Sequence, residues 1–288
     1  MKKFLIISIS LLVIFAVILG FVISVSSKLA LFNIFLTLSP TTTLLAKTNI
    51  LIVGADGVTG QRSDTIMVLH TNPAAKEVSL ISIPRDTLAV LPGRGLDKIN
   101  HAYAYGGVEY SKKTVEALLG IEIPYYVTIN LTGIVNLIDQ LGGVTIDVEH
   151  RMYYVDYAGD LFIDLQPGVQ KLNGKQLMGY LRFRRDGGDF KRIDRQQKFL
   201  KSMGQEMMNR ENLLRSPKMF LELLSYIETN LNPKETLGLA LLLRSAQELG
   251  NVQMTTVPGS DTIVDGIYYL RVDDARLRDI VKQYIIDK

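Results

Sequence analysis

Residues 182–197, RFRRDGGDFKRIDRQQ, concentrate side chains that can grip an anion. Arg182, Arg184, Arg185, Lys191, Arg192 and Arg195 stand against Asp186, Asp189 and Asp194, six positive charges to three negative. The resulting +3 equals the formal net charge of the whole chain, so the remainder is close to neutral. An extended 180–185 segment would point Arg182 and Arg184 the same way, because side chains alternate along a strand. Asp189 is suited to cap a helix beginning near Phe190. On that helix Arg192, Arg195 and Gln196 share a face at i, i+3 and i+4. Guanidinium forks from both pieces can then converge on phosphate oxygens, which their planar donors match. The competing reading is a solvated, salt-bridged surface with Asp194–Lys198 as an i,i+4 pair, since charge runs commonly decorate surfaces.

A second constellation lies upstream. Residues 49–55 form a short apolar run typical of a buried strand, with Asp56 at its end. A Gly-rich loop holding Arg62 leads to Asp64 and a second strand over 65–71. Residues 72–76, NPAAK, carry strong turn chemistry, and a third strand over 77–83 ends at Pro84-Arg85-Asp86. If consecutive strands reverse direction, Asp56, Asp64 and Arg85 gather on one rim. Two carboxylates and an arginine there suit Mg²⁺ with phosphate oxygens, because Mg²⁺ takes few carboxylates and leaves room for substrate and water. The plainer alternative makes Asp56 a turn residue and pairs Asp64 with Arg62 or Arg85.

The elements that must position these groups follow in order. Residues 91–107 read as a loop, 108–119 as a helix ended by Gly120, and 124–130 as a strand. A helix over 132–140 stops at Gly142-Gly143, and a strand covers 144–148. A hairpin spans 153–165 around Gly159, and a short helix over 172–180 feeds the arginine stretch. Helices are expected from 190 to about 209, over 213–231, over 233–249 and over 274–286. Edge strands at 252–257 and 268–272 flank a GSDT loop. Alternating strands and helices place the chain in the α/β or α+β class, a central mixed sheet flanked by helices. No internal repeat, low-complexity linker or second-domain boundary is visible.

Composition excludes several chemistries. With no cysteine, disulfides and thiolate metal sites are ruled out. GADGVTGQRS lacks the Gly-Lys-Ser/Thr ending of a phosphate-binding P-loop. His70, His101 and His150 lack zinc-ligand spacing, and there is no G-x-S-x-G elbow to make His101 part of a serine hydrolase. His101 reads as structural or as a donor near the site.

Residues 4–25 are uncharged over 22 positions and follow Lys2 and Lys3. That length suits a bilayer-spanning helix, and no signal-peptide cleavage pattern follows it. The expected layout is a cytoplasmic tail (1–3), a transmembrane helix (4–25), a linker (26–45) and an extracytoplasmic domain (46–288). A basic pI near 8.9 often marks nucleic-acid binding. Outside the membrane, phosphate-bearing lipids and wall polymers are the more available partners.

Seven segments in order complete the picture: GAD at 54–56, RSDTIMVL at 62–69, SIPRDT at 82–87, DKINHAYAYGG at 97–107, LGGVTIDV at 141–148, LNGKQLMGYLRFR at 172–184 and DFKRIDRQQ at 189–197. Together they resemble the LytR–CpsA–Psr family of membrane-anchored bacterial cell-wall ligases, and TVPGSDTIVDGIYYL near the C-terminus is similar too. The loop after Asp56 departs from the pattern: it is short and lacks the arginine many members carry there. The resemblance implies transfer of a glycopolymer phosphate from a polyprenyl-pyrophosphate carrier to peptidoglycan, with teichoic acid or capsule as polymers. It implies Mg²⁺ (or Mn²⁺) at Asp56 and Asp64, pyrophosphate contacts from Arg85, Arg182, Arg184, Arg192 and Gln196, and a functional carboxylate at Asp189. With Arg62, Lys98 and Arg195 added, this is the full expected anion-binding set, in which Arg85, Asp189 and Arg192 are the catalytic candidates. Such an inventory fits phosphoryl transfer, which needs positioning and charge neutralisation more than covalent machinery. Lipid-pyrophosphate hydrolysis is the expected side activity. The alternative reading is a membrane-bound regulator that binds anionic lipid or wall polymer without turnover; no nucleic-acid partner is expected.

Overall fold

A computed structural model of the chain describes residues 44–55, 63–157, 161–183, 185–186, 188–207 and 226–288. The expected membrane segment at 4–25, Asp56, Arg62 and Arg184 lie outside these residues, as does most of the helix expected over 213–231. Among the described residues no helix is long and apolar enough to cross a membrane.

Three consecutive strands organise the fold: β1 (Thr48–Ala55), β2 (Ser63–Asn72) and β3 (Glu77–Ile83). Both neighbouring pairs are antiparallel, so the chain reverses twice as the turn residues demand. β4 (Leu88–Leu91) and β5 (Gly95–Lys98) form a small hairpin beyond β3. Helix α1 (His101–Leu119) follows and kinks at Gly106 and Gly107, then ends at Gly120 with φ 66°. β6 (Tyr125–Asn130) pairs parallel with β1.

Helix α2 (Leu131–Gln140) then leads into β7 (Val144–Val148), β8 (Met152–Asp156), β9 (Leu161–Leu165), β10 (Gly168–Leu172) and α3 (Gly174–Arg182). Helix α4 (Gly188–Met207) returns to the main sheet. β11 (Ile227–Thr229), α5 (Pro233–Leu249), β12 (Val252–Thr256), the hairpin β13 (Gly259–Val264) and β14 (Ile267–Val272), and α6 (Asp274–Val281) complete the chain, with a π-helical turn at Lys282–Ile286. The main sheet has the order β11-β6-β1-β2-β3-β12. It is mixed, because β1–β6 and β3–β12 are parallel while the other pairs are antiparallel.

Alternation of side chains gives the sheet two apolar faces. Leu51, Val53, Ile66, Val68, Ile81 and Ile83 pack on α1 and α6 through Ala102, Val115, Leu277 and Val281. Ile50, Met67, Leu69, Val78 and Leu80 face Leu242 and Ala246 of α5. A third core joins β7 to β10 with α3 and Phe199 of α4. Leu200 packs against this core and against the sheet, so α4 ties the two together.

Several expectations are corrected. Residues 180–182 are the last turn of α3, not extended. A reciprocal Asn173–Gln176 capping box starts that helix, and Leu177 and Tyr180 bury one turn apart, which carries it through Arg182. Helix α4 starts at Gly188, which puts Asp189 in its first turn instead of at the cap. The 91–107 loop contains β5 and the start of α1, because the glycines supply a tight turn and a kink without abolishing pairing. GSDT belongs to β13, and the reversal is made by Asp265-Gly266, both at positive φ (50° and 76°), the backbone a two-residue hairpin turn needs. Residues 227–229, expected to be helical, are a strand paired with β6.

Candidate anion-binding site

The strand directions gather one rim of the sheet. The C-terminal ends of β1, β3, β6 and β12 and the N-terminal end of β2 all lie there. At this rim Gly54 pairs with Thr65 and Ala55 with Ser63, so Asp64 is the extra residue of a bulge. Bulges of this kind interrupt pairing and re-aim the chain at sheet rims. The Ala55–Ser63 pairing closes β1 and β2 against each other at this rim. Among the described residues, no group of three or more His, Asp or Glu side chains is arranged to hold a metal ion.

Arg85 follows β3 directly. Its backbone is pinned by a tight turn, in which Thr87 N–H and Oγ1 both donate to the Pro84 carbonyl at 3.0 and 2.6 Å. Arg85 Nε lies 3.4 Å from Asp86 Oδ2. Lys98, at the end of β5, places Nζ 2.7 Å from Asp86 Oδ1. One carboxylate thus joins two expected anion contacts that stand 13 residues apart in sequence. Next to Lys98, Asp97 accepts from His101 Nδ1 at 2.9 Å and from Tyr105 Oη at 3.1 Å. Burial pushes the Asp97 carboxyl up, but His101, the Lys98 N–H and Tyr105 outweigh it and hold the group below the usual range. His101 therefore serves as a partner of Asp97.

Helix α4 crosses the face of the sheet just inside the rim. Gln196 Nε2 donates to Thr65 Oγ1 at 3.1 Å. Gln197 Nε2 reaches Ser82 Oγ at 3.0 Å and the Thr255 carbonyl at 3.2 Å, bolting the helix to β3 and β12. Arg192, one turn before Gln196, is only 3% exposed. The backbone of Asp189 lies in the first turn, and Arg182 is an exposed residue at the end of α3.

Arg195 is committed elsewhere. It is 2% exposed, and its two terminal nitrogens bind Asp186 Oδ2 and the Phe183 carbonyl. The guanidinium also lies 5.9 Å from the Tyr180 ring centre. A step of one residue turns a helix by about 100°, which separates the directions of Arg195 and Gln196. Arg195 lines a separate cleft of about 500 Å³ with Glu149, His150, Asp186, Lys191 and Asp194. The expected Asp194–Lys198 pair is replaced by Lys198–Glu149 at 2.8 Å. Burial raises the Glu149 carboxyl, yet Lys198, a backbone N–H and the Tyr180 hydroxyl together hold it low. The Tyr180 phenol is pushed far up by burial and by Glu149.

Of the expected site residues, Arg85, Lys98, Gln196 and the Asp64 backbone share the rim, with Arg192 one helical turn from Gln196. Asp86 and Gln197 were missed by sequence reasoning. Each sits beside a residue that was singled out, and that adjacency was the available signal.

Comparison with known proteins shows the family and the fold. The family model described as the LytR_cpsA_psr family matches residues 38–285. The regulatory protein MsrR of Staphylococcus aureus is 37% identical over 226 residues, covering 76% of this chain and 67% of that protein. The polyisoprenyl-teichoic acid–peptidoglycan teichoic acid transferase TagU of Bacillus subtilis is 31% identical over 240 residues, covering 82% and 76%. The crystal structure of B. subtilis TagV superposes with a TM-score of 0.70 at 29% identity, covering 83% of this chain and 97% of that one.

Proposed function

The chain belongs to the LytR_cpsA_psr family, and from this premise we propose that it is a membrane-anchored transferase that attaches a cell-wall glycopolymer to peptidoglycan. The donor is a glycopolymer linked to a polyprenyl pyrophosphate. A hydroxyl oxygen of peptidoglycan bonds to the phosphorus next to the glycan, the bond from that phosphorus to the bridging oxygen breaks, and polyprenyl phosphate leaves. The hydroxyl proton passes to a base, for which Asp189 is the candidate.

The observation that carries this reading is the rim itself. Arg85 and Lys98, joined through Asp86, share an edge with Gln196, which α4 brings to Thr65. Cations held in place before substrate arrives favour charge that builds on transferring phosphoryl oxygens. We assign Arg85, Arg192, Arg182, Arg184, Lys98 and Gln196 to the pyrophosphate, with Arg62 from the neighbouring loop. Arg195 acts through packing. Mg²⁺ or Mn²⁺ at Asp56 and Asp64 would supply further charge neutralisation at the phosphate oxygens when bound. The apolar 4–25 segment would hold the domain at the membrane where a lipid carrier resides, with the domain outside the cell.

The test is a lipid balance. With a polyprenyl-pyrophosphate-linked saccharide as donor, release of polyprenyl phosphate should rise severalfold on adding peptidoglycan oligomers. Release that ignores peptidoglycan would indicate hydrolysis as the main reaction. The regulatory name given to the S. aureus relative favours a second reading, ligand binding without turnover. Donor binding with no released product under Mg²⁺ or Mn²⁺ would support that reading instead.

A further inference from the structure

Asp86 is a negative charge placed where an anion site should not want one. Its side chain is 13% exposed, with Oδ1 2.7 Å from Lys98 Nζ and Oδ2 3.4 Å from Arg85 Nε. Its backbone is equally constrained. The Asp86 carbonyl accepts from Leu270 N–H of β14 at 2.9 Å, Asn100 N–H donates to the Arg85 carbonyl at 3.2 Å, and Ile99 N–H donates to the Thr87 carbonyl at 2.9 Å. The turn that carries Asp86 is thus tied to β14 and to the chain leaving β5. In that same position Lys98 Nζ also lies 5.8 and 5.7 Å from the ring centres of Tyr268 and Tyr269, whose faces add to its hold.

From this geometry we infer that Asp86 is a positioning residue that holds Lys98 and Arg85 as a preformed pair for the phosphate oxygens. The inference rests on the proposed pyrophosphate site. Lysine and arginine side chains have many rotamers, and ordering them at the moment of binding is costly. A carboxylate that grips both cations removes that cost in advance. Fixing Arg85 at Nε sets the plane of its donor fork, and fixing Lys98 at Nζ holds its charge beside the same carboxylate.

The opposite electrostatic expectation makes the inference testable. A carboxylate beside an anion site repels the anion, so a site governed by charge alone would bind more tightly without it. The probe is inorganic pyrophosphate with Mg²⁺, titrated calorimetrically into the detergent-solubilised full chain. Asp86→Asn should weaken binding roughly tenfold, the loss expected when two long side chains must be ordered on binding. Asp86→Glu keeps the charge but changes the reach, and should fall between Asn and native. In a Lys98→Gln background, Asp86→Asn should cost less than in the native background, because the shared partner is already gone. Affinity in Asp86→Asn equal to or tighter than native would overturn the inference, as would an equal cost in both backgrounds. If the Asn variant does not fold, Asp86→Glu decides the matter: severalfold weaker binding supports positioning, and native affinity overturns it. A native chain that binds no pyrophosphate, or an Arg85→Ala variant that binds it as well as native, would refute the pyrophosphate site itself and the role of Asp86 with it.

Discussion

Lowering the pH should destabilise this protein through His70, far from the anion rim. His70 sits in β2 at 3% exposure, and its Nδ1 meets Asn49 Oδ1 at 2.8 Å. The Asn49 amide in turn donates to the Glu122 carbonyl at 2.8 Å. That arrangement makes Nδ1 the protonated nitrogen of a neutral ring. Nε2 is buried and has no hydrogen-bond partner among the described residues, so a second proton there would go unpaired. Burial, with the nearby Lys47 cation, pushes the His70 pKa from 6.5 down to about 4. The unfolded chain therefore binds a proton that the folded chain refuses. Stability is intact above pH 6.5, falls as pH drops, and the loss is complete below about 4. The full cost is about 3 kcal/mol at 1.36 kcal/mol for each unit of pKa, and most of it is lost between pH 7.5 and 4.5. Denaturant unfolding of the detergent-solubilised chain, followed by circular dichroism at both pH values, measures this. His70→Asn keeps a donor near Asn49 and removes the titration. The native chain should lose about 2–3 kcal/mol more than the variant over that interval. Parallel pH profiles for the two proteins would refute the reasoning.

Three other outcomes follow from the packing. Arg195→Ala should cost about 3 kcal/mol in denaturant unfolding, because it leaves the largely buried Asp186 carboxylate with only the His150 contact at 3.4 Å in place of its guanidinium partner. Gly174→Ala should destabilise by about 1–3 kcal/mol in the same assay. A Cβ there would lie 2.4 Å from the Val135 carbonyl oxygen, and backbone must move to admit it. Gln197→Ala should cost about 1–2 kcal/mol from its lost bonds to Ser82 and Thr255. It should also lower the transfer rate more than it raises KM, because α4 carries Arg192 and Gln196.

The strands β1 to β3 were legible because their apolar residues and turn signals are local. Their antiparallel order was enough to gather the Asp64 backbone and the end of β3, which leads to Arg85, on one rim; Asp56 lies outside the described residues. Helix α5 was equally plain, with Asn232, Pro233 and Glu235 at its start and Gly250 at its end. What was illegible depends on distant contacts. Helical spacing put Arg195 on an anion-binding face with Arg192 and Gln196. Its burial is decided by Asp186 and the Phe183 carbonyl across a glycine break, and by the rings of Tyr180 and Phe183. The Asp86–Lys98 pair spans a hairpin that glycines disguised as a loop. The end of α3 was misread because alternating Arg182 and Arg184 imitate a strand, while burial of Leu177 and Tyr180 favours the helix.

Phosphoryl transfer at this rim depends on Arg85. The direct measurement is mass spectrometry of peptidoglycan oligomers after incubation with the full chain, Mg²⁺ and a polyprenyl-pyrophosphate-linked saccharide. The native chain should yield a saccharide joined to peptidoglycan through a phosphodiester. Arg85→Ala, with an unchanged unfolding midpoint, should yield at most about one hundredth as much, the scale seen when one donor to a transition-state oxyanion is removed. Equal product from the folded Arg85→Ala variant, or donor binding without any phosphodiester in the native chain, would contradict the account.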